Sequence, residues 1–350
     1  MDSNNSSPCR VSVIIKALNE EARIANAVES ALRAVAPLGG EVVLADSCSS
    51  DRTIEIAQRY PITIAQLANA GERCCGIGPQ LGYQHARGDY VYILDGDMEL
   101  RPAFLAEAVR YLDAHPVVGG VGGQVVEHNT DSLEYLARVQ RNTAHMGAGP
   151  VDRLDMGGLY RRSAIEQAGY FSNRNLHSYE ELDLAARLRS LGWTLQRIAV
   201  PAVDHHGHSV SPYVLLGKRW KSGYIKGSGE VVRAALGQPH LAPLLASLRE
   251  ARLYAATLAW LGVGVGAALV LAATGIGPGA AGALGAAGAL LLLTLLLPFL
   301  ALLARKRSLR QAGYAYTSLL AHCAGFVRGL LSAQATPRAP IASRLLGKSP

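Results

Sequence analysis

Through the first third of the chain, short apolar runs alternate with amphipathic ones. "VSVII" (Val11–Ile15) has the length and composition of a buried strand. In the "NEEARIANAVESALRAV" that follows, Ile24, Val28, Ala31 and Val35 recur at helical spacing, and Asn19 is placed to cap the helix. "EVVLADS" (Glu41–Ser47) predicts a second buried strand, and "DRTIEIAQRY" (Asp51–Tyr60) a short helix that starts on its own cap. "ITIAQL" predicts another strand, the stretch to Ala86 contains a helix, and Tyr90–Leu94 of "YVYILDGDMEL" predicts a further buried strand. "RPAFLAEAVRYLDAH" reads as a helix with Pro102 in its first turn. Strands that alternate with helices are the signature of an α/β fold, a parallel sheet with helices on both faces.

The second half of this region differs. "VGGVGGQVV" is a Gly-rich strand region, and "LDMGGLYRRSAIEQAGYF" sets Gly157-Gly158 before a basic helix start. "HSYEELDLAARLRSLGW" puts Glu180, Glu181 and Asp183 at the start of a helix whose inner face is Leu184, Leu188 and Leu191. Acids in a first turn also suit the helix dipole, so a purely structural role stays open. "AVPAVDHHGHSVS" carries His205, His206 and His208.

From Leu253 to Ala304 there is no Asp, Glu, Lys, Arg or His. A helix needs ~20 apolar residues to cross a bilayer, so the region suits two spans. "TGIGPGAAG" has the Gly and Pro of a tight connection, which places spans at Leu253–Ile276 and Ala280–Ala304 as a hairpin. Arg249 and Arg252 precede the first span, "RKRSLR" follows the second, and the connection is uncharged. Both ends are therefore expected on the cytoplasmic side of an inner membrane. A buried apolar hairpin in a soluble protein is the alternative, and the absence of charge argues against it. "AGYAYTSLLAHCAGFVRGLLSA" is apolar but includes His322 and Arg328, which predicts an interfacial amphipathic helix, with a third span as the alternative. The basic tail to Pro350 is expected to be loose, and "MDSNNSSPCR" at the other end is expected to be disordered and not a signal peptide.

Composition narrows the partners. The net charge of +7 calls for an anionic one: nucleic acid, anionic lipid or a phosphorylated substrate. No aromatic-basic RNA motif is visible, and basic residues gather beside the spans, which favours lipid over nucleic acid. Cys9, Cys48, Cys74, Cys75 and Cys323 show neither metal spacing nor a CxxC pair.

The chemistry gathers at strand ends. Tyr90–Leu94 is followed by Asp95-Gly96-Asp97. Asp and Gly are turn residues, so a polar exit from the core is one reading. The other is a hard divalent cation such as Mg²⁺ or Mn²⁺, which would in turn bind phosphate. Asn19-Glu20, Asp46 and Asp95/Asp97 each fall just past the C-terminal end of a strand, where parallel sheets bind ligands. A turn explains one acidic strand end and explains three less well.

These residues resemble the family-2 glycosyltransferases with a GT-A fold, over about Val11 to Gly229. "VIIKALNEE" looks like the family's opening strand, and "ADSCSSDRT" like its Asp-Asp-Gly-Ser-x-Asp-Gly-Thr element. "GPQLGYQHARGDYVYILDGDMEL" looks like the approach to its Asp-x-Asp motif. "GGLYRRSAI" and "YEELDLAARLRSLGW" look like its acceptor-side helices. The resemblance implies a Rossmann-like, mainly parallel sheet with flanking helices, here with a C-terminal transmembrane hairpin. It implies an inverting transfer from a nucleotide sugar, UDP-linked by expectation, to a lipid-linked saccharide in exopolysaccharide or surface-glycan synthesis. A polyprenyl phosphate acceptor and a non-catalytic membrane scaffold are the alternatives.

By the same resemblance, a divalent metal (Mn²⁺ or Mg²⁺) sits on Asp97, with Asp95 helping to hold ribose or metal. Neutral imidazole is a common metal ligand, so His205, His206 and His208 are candidates to complete the site, with His206 the choice. Asp46 would take the base edge, Glu20 would lie near base or ribose, and Ala17 and Leu18 would line the nucleotide. Glu181 stands at the position of the family's base, with Glu180 beside it. Arg219, Trp220 and Lys221 of "LLGKRWKSGYIKGSG" are candidates for contact with the donor or acceptor diphosphate, or with anionic lipid. Processive synthases carry Gln-x-x-Arg-Trp, and Leu216 at the Gln position argues against processive synthesis. Other departures are Lys16 and Leu18 for the family's Pro and Tyr, Ser47 for its second Asp, and Gly78-Pro79-Gln80 for its Ala-Arg-Asn. The expected organisation is a disordered 1–10, a catalytic domain at 11–210, a basic juxtamembrane segment at 211–252, the two spans within 253–304, and a cytoplasmic basic segment at 305–350.

Overall fold

The structure, a computed structural model, describes residues 9–128, 146–206, 210–275 and 279–346. The chain divides into two compact units. One comprises the residues up to Val210, Ala234–Ser247 and Ala333 onward, and the other comprises Ser211–Arg233 and Leu248–Ser332.

The first unit opens with β1 (Val11–Ala17), α1 (Ile24–Val35), β2 (Glu41–Asp46), α2 (Thr53–Ala57), β3 (Thr63–Leu67), α3 (Ile77–His85), β4 (Tyr90–Asp95), β5 (Met98–Leu100) and α4 (Pro102–Ala114). It continues with β6 (Val118–Glu127), β7 (Gly149–Val151), β8 (Leu159–Arg161), α5 (Arg162–Ala168), α6 (Glu180–Ser190) and β9 (Thr194–His205). β3, β2, β1 and β4 lie side by side and parallel, as the alternation of elements predicts. Beyond β4 the sheet is mixed. β8 runs antiparallel between β4 and β6, β9 runs parallel to β6, and β5 and β7 pair antiparallel with β9.

β1 is buried on both faces. Val13 and Ile15 join the core under α1 and α4, while Ile14 joins the core under α3 and α6. That is why its sequence reads as continuously apolar.

Three local expectations are corrected. Asn19 is not the cap of α1, which begins only at Ile24. Its backbone is left-handed (φ 59°), and its Oδ1 accepts the Ser50 N–H at 2.8 Å. Leu191 is 51% exposed because α6 ends at Ser190 and Gly192 turns the chain at φ 88°. The tail is not loose over its described part. β10 (Ser343–Leu345) pairs antiparallel with β3 and closes that edge of the sheet. Gln84 and Asn175 each exchange hydrogen bonds with the backbone leading to it, at Ile341 and Ala335.

The helices of the remaining chain are α7 (Pro212–Lys221), α8 (Gly227–Ala235), α9 (Leu241–Ser247), α10 (Arg249–Thr274), α11 (Gly279–Lys306) and α12 (Leu309–Leu330). α9 belongs to the first unit. α10 and α11 are long and apolar enough to cross a membrane. Residues 276–278 of the expected connection lie outside the described residues. α11 carries Pro298 in its interior.

Candidate active site

Because β1, β2 and β4 are parallel and in register, their C-terminal residues share one edge. Ala17 stands opposite Asp46, and Lys16 opposite Asp95. Two loops interlock above this edge. The Asn19 N–H donates to Ser49 Oγ at 2.9 Å, the Glu20 N–H to Thr53 Oγ1 at 2.8 Å, and the Glu21 N–H to Asp51 Oδ2 at 3.0 Å. Asp46 is fully buried. Its Oδ2 accepts from the Ser49 N–H at 3.0 Å and from Gln66 Nε2 at 2.9 Å, while its Oδ1 has no partner among the described residues. Leu18 projects beside this edge, exposed.

Asp95-Gly96-Asp97 leaves β4 over Glu20. The Gly96 N–H donates to the Lys16 carbonyl at 3.0 Å, and a Cβ on Gly96 would stand 2.9 Å from Glu20 Cγ. Glycine is therefore required for the two segments to approach. Burial, then the neighbouring Asp97 and Asp51, pushes the Glu20 carboxyl up to about 7, with Arg23 opposing. The imidazole beside Asp97 is that of His205, not His206. His205 Nε2 is 3.7 Å from Asp97 Oδ2, and Nδ1 is 2.5 Å from Glu127 Oε2. His206 instead faces Glu99 at 3.6 Å and stacks on His128, with ring centroids 4.7 Å apart. β9 ends at His205, and His206, just past the strand, turns to Glu99. His208 lies outside the described residues.

No three His, Cys, Asp or Glu side chains that could hold a metal come together among the described residues. Asp97 and His205 offer two donors, a carboxylate and an imidazole oriented by Glu127. That set fits Mg²⁺ or Mn²⁺, which bind through few protein ligands and complete their shell with substrate phosphates and water. Asp95 is differently placed: Lys16 Nζ lies 2.9 Å from its Oδ1 and already offsets its charge.

Glu180 and Glu181 open α6 directly after Tyr179, whose backbone is left-handed at φ 68°. Glu180 Oε1 accepts from Lys16 Nζ at 3.3 Å, and Glu181 Oε2 accepts from the Met156 N–H at 3.2 Å. Lys16, Tyr160, Phe171, Ser172, Glu180 and Glu181 line one pocket. Burial above all, then Asp155, pushes the Glu181 carboxyl up to about 8; Glu180 adds to this, while Lys16 and the Met156 N–H oppose it. Asp183 has a different task. It pairs with buried Arg187 at 2.9 Å, whose guanidinium also donates to the carbonyls of Tyr170 and Phe171. Four non-glycine residues of this unit hold left-handed backbone, namely Asn19, Cys48, Met156 and Tyr179, and each adjoins the site. Such strain concentrates where surrounding structure enforces a functional geometry.

Arg219, Trp220 and Lys221 lie on α7 in the other unit. Arg219 stacks over Tyr224 at 5.1 Å, and Arg328 stands over the Trp220 ring at 5.0 Å. Sequence reasoning chose His206 from a cluster that included His205, and gave no role in the site to Lys16 or to the 155–156 turn. A lysine ending a buried apolar strand is itself a broken rule that points to a site.

Residues 12–169 match the family described as glycosyl transferase family 2. A putative glycosyltransferase of Bacillus subtilis, EpsE, is 32% identical over 197 residues, 54% of this chain and 69% of that protein. An undecaprenyl-phosphate 4-deoxy-4-formamido-L-arabinose transferase of Pectobacterium carotovorum is 31% identical over 121 residues, 32% of this chain. The chain spans 36% of the length of that transferase, and no more than that of several other curated relatives. A mannosyltransferase from Pyrobaculum calidifontis, solved with GDP-Man and Mn²⁺, shares the fold with a TM-score of 0.59 and 21% identity, covering 93% of this chain and 90% of that one.

Proposed function

The chain belongs to glycosyl transferase family 2 and is a glycosyltransferase, and on that premise we propose that it moves one sugar, with inversion, from a nucleoside diphosphate donor, UDP-linked, to a hydroxyl of a lipid-linked saccharide. The observation that carries this reading is the joining of Glu20, Asp97 and His205, from three separate elements, at one sheet edge, with Glu181 in a pocket beside it.

Asp46, through its unpartnered Oδ1, accepts from the base, and Glu20 and Asp95 face the ribose, with Ala17 and Leu18 beside it. Asp97 and His205 would hold the metal, which when bound would supply Lewis acidity to the departing diphosphate. Glu181 takes the proton of the acceptor hydroxyl. The acceptor oxygen bonds to the anomeric carbon as the bond to the diphosphate breaks, its electron pair leaving with the diphosphate. A carboxyl with its proton affinity raised towards neutrality suits this task better than an ordinary one.

The name of the Pectobacterium relative supports a second reading, an undecaprenyl phosphate acceptor. An acid-rich pocket whose lysine is already engaged by two carboxylates favours the neutral hydroxyl. Anchoring in the inner membrane through α10 and α11, with the catalytic unit cytoplasmic, is supported by their length and by Arg249, Arg252 and Arg305–Arg310 at their ends. Arg219, Trp220 and Lys221 then lie beside the spans in sequence, for diphosphate or anionic headgroups.

The test is calorimetry of UDP binding to the detergent-solubilised chain, with Mn²⁺ and with chelator, on the native protein and Asp97→Ala. Binding that needs metal and is lost in the variant is expected. Metal-independent binding would remove the role of Asp97, and binding of GDP alone would replace the donor.

A further inference from the structure

Lys16 is the basic side chain of the pocket that contains Glu180 and Glu181. It occupies the next-to-last position of β1 and is the cross-strand partner of Asp95. Its Nζ lies 2.9 Å from Asp95 Oδ1 and 3.3 Å from Glu180 Oε1. These two acids belong to opposite halves of the site. Asp95 ends β4 beside Asp97, and Glu180 opens α6 beside Glu181. Room for the side chain comes from α3, where a Cβ on Gly78 would stand 3.2 Å from Lys16 Cβ. A largely buried ammonium is costly unless anions meet it at hydrogen-bonding distance, and here two do.

We propose that Lys16 is a positioning residue for the transfer step: its ammonium bridges Asp95 and Glu180, locks the donor-side strand end to the acceptor-side helix start, and leaves Glu181 as the carboxylate that receives the acceptor's proton. The proposal rests on the reading of Glu181 as the base. The groups facing Glu181 are Glu180 on its own helix, Lys16 on β1, Tyr92 on β4, Asp155 in the turn before β8, Tyr160 on β8 and Arg197 on β9. Lys16 and the Met156 N–H hold the proton affinity of Glu181 down against Asp155 and Glu180.

The test uses the full chain in detergent with glutamate ¹³C-labelled at Cδ. The Glu181 resonance is assigned by its disappearance in Glu181→Gln and followed as the pH is raised. Removing one cation at this range displaces the midpoint to higher pH by about one unit, tenfold in proton affinity, in Lys16→Met. Lys16→Arg keeps the native midpoint. The double variant Lys16→Met/Glu180→Gln returns towards it, because the bridge is removed from both ends, and it keeps the test open if Lys16→Met alone fails to fold. Equal midpoints in the native chain and in Lys16→Met or, failing that, a double variant displaced as far as loss of the cation alone requires would overturn the proposal. The titration needs no turnover. A chain silent towards every nucleotide sugar yet showing the displacement would strike the transferase reading and leave the bridge standing. Turnover with an undisplaced Glu181 would strike the bridge alone.

Discussion

The indole Nε1 of Trp260 on α10 donates to the carbonyl of Thr294 on α11 at 2.9 Å. Thr294 lies four residues before Pro298, so its carbonyl is the one that Pro298, lacking an N–H, leaves without a helical donor. The neighbouring carbonyl of Leu295 accepts from the Tyr316 hydroxyl of α12 at 2.8 Å. In hydrocarbon such backbone groups must be satisfied from within the protein. Trp260→Phe is therefore expected to destabilise the helical unit by ~1–2 kcal/mol. Pro298→Ala restores the helical donor, so Trp260→Phe should cost almost nothing in that background. Thermal unfolding of the four chains in detergent checks the cycle, and an equal cost in both backgrounds would dismiss the account.

Glu181→Gln removes the proposed base. The expected loss in kcat is ~10²- to 10⁴-fold. In the native chain kcat should rise with pH through about 8, because the ionised carboxylate is the active form, and the variant should lack that rise. Stability follows the opposite sense. A carboxyl raised from its ordinary 4.5 contributes stability that is present below that value and lost as pH rises through about 8. The variant should gain stability relative to the native chain across that window, as unfolding at several pH values would reveal.

Gly96→Ala puts a methyl group 2.9 Å from Glu20 Cγ and 3.2 Å from the Lys16 carbonyl. Glu20 must move from the sheet edge. UDP affinity in the presence of Mn²⁺ is expected to fall about tenfold, the equivalent of ~1.4 kcal/mol. The circular dichroism spectrum should stay native, and unchanged affinity would separate Glu20 from the nucleotide.

α12 meets α8 and the turn before it through glycines. A Cβ on Gly329 would lie 2.1 Å from the Lys226 carbonyl, and one on Gly229 would lie 2.0 Å from the Phe326 carbonyl. Both contacts are to backbone, which cannot swing aside as a side chain does. Gly329→Ala is expected to destabilise the helical unit by ~2 kcal/mol or more. Gly266→Ala on α10, where a Cβ meets nothing within 4 Å, is the control that should leave the melting temperature unchanged.

The strands of the parallel core were legible because each is built around an apolar run, and the two long helices because no charge falls between Leu253 and Ala304. β5, β7 and β8 were not, since three-residue runs carry no period. Asn19 has the chemistry of a cap, yet its side chain is claimed by Ser50, thirty-one positions away, which nothing local announces. The acids at strand ends could be placed along one edge of a parallel sheet, and the structure does gather them there. What their sequence could not disclose is which of them Lys16 would engage, because that depends on how β4 and α6 converge on one side chain.

Among the described strands, the one that seals the β3 edge is the last in chain order. When the ribosome has finished β9, every other described strand of the sheet exists, but Ser343–Leu345 emerges only after both long apolar helices. Until then Thr63–Leu67 offers open backbone donors and acceptors, the kind of edge that recruits foreign strands. Completion of this edge of the sheet is thus tied to synthesis of both long apolar helices.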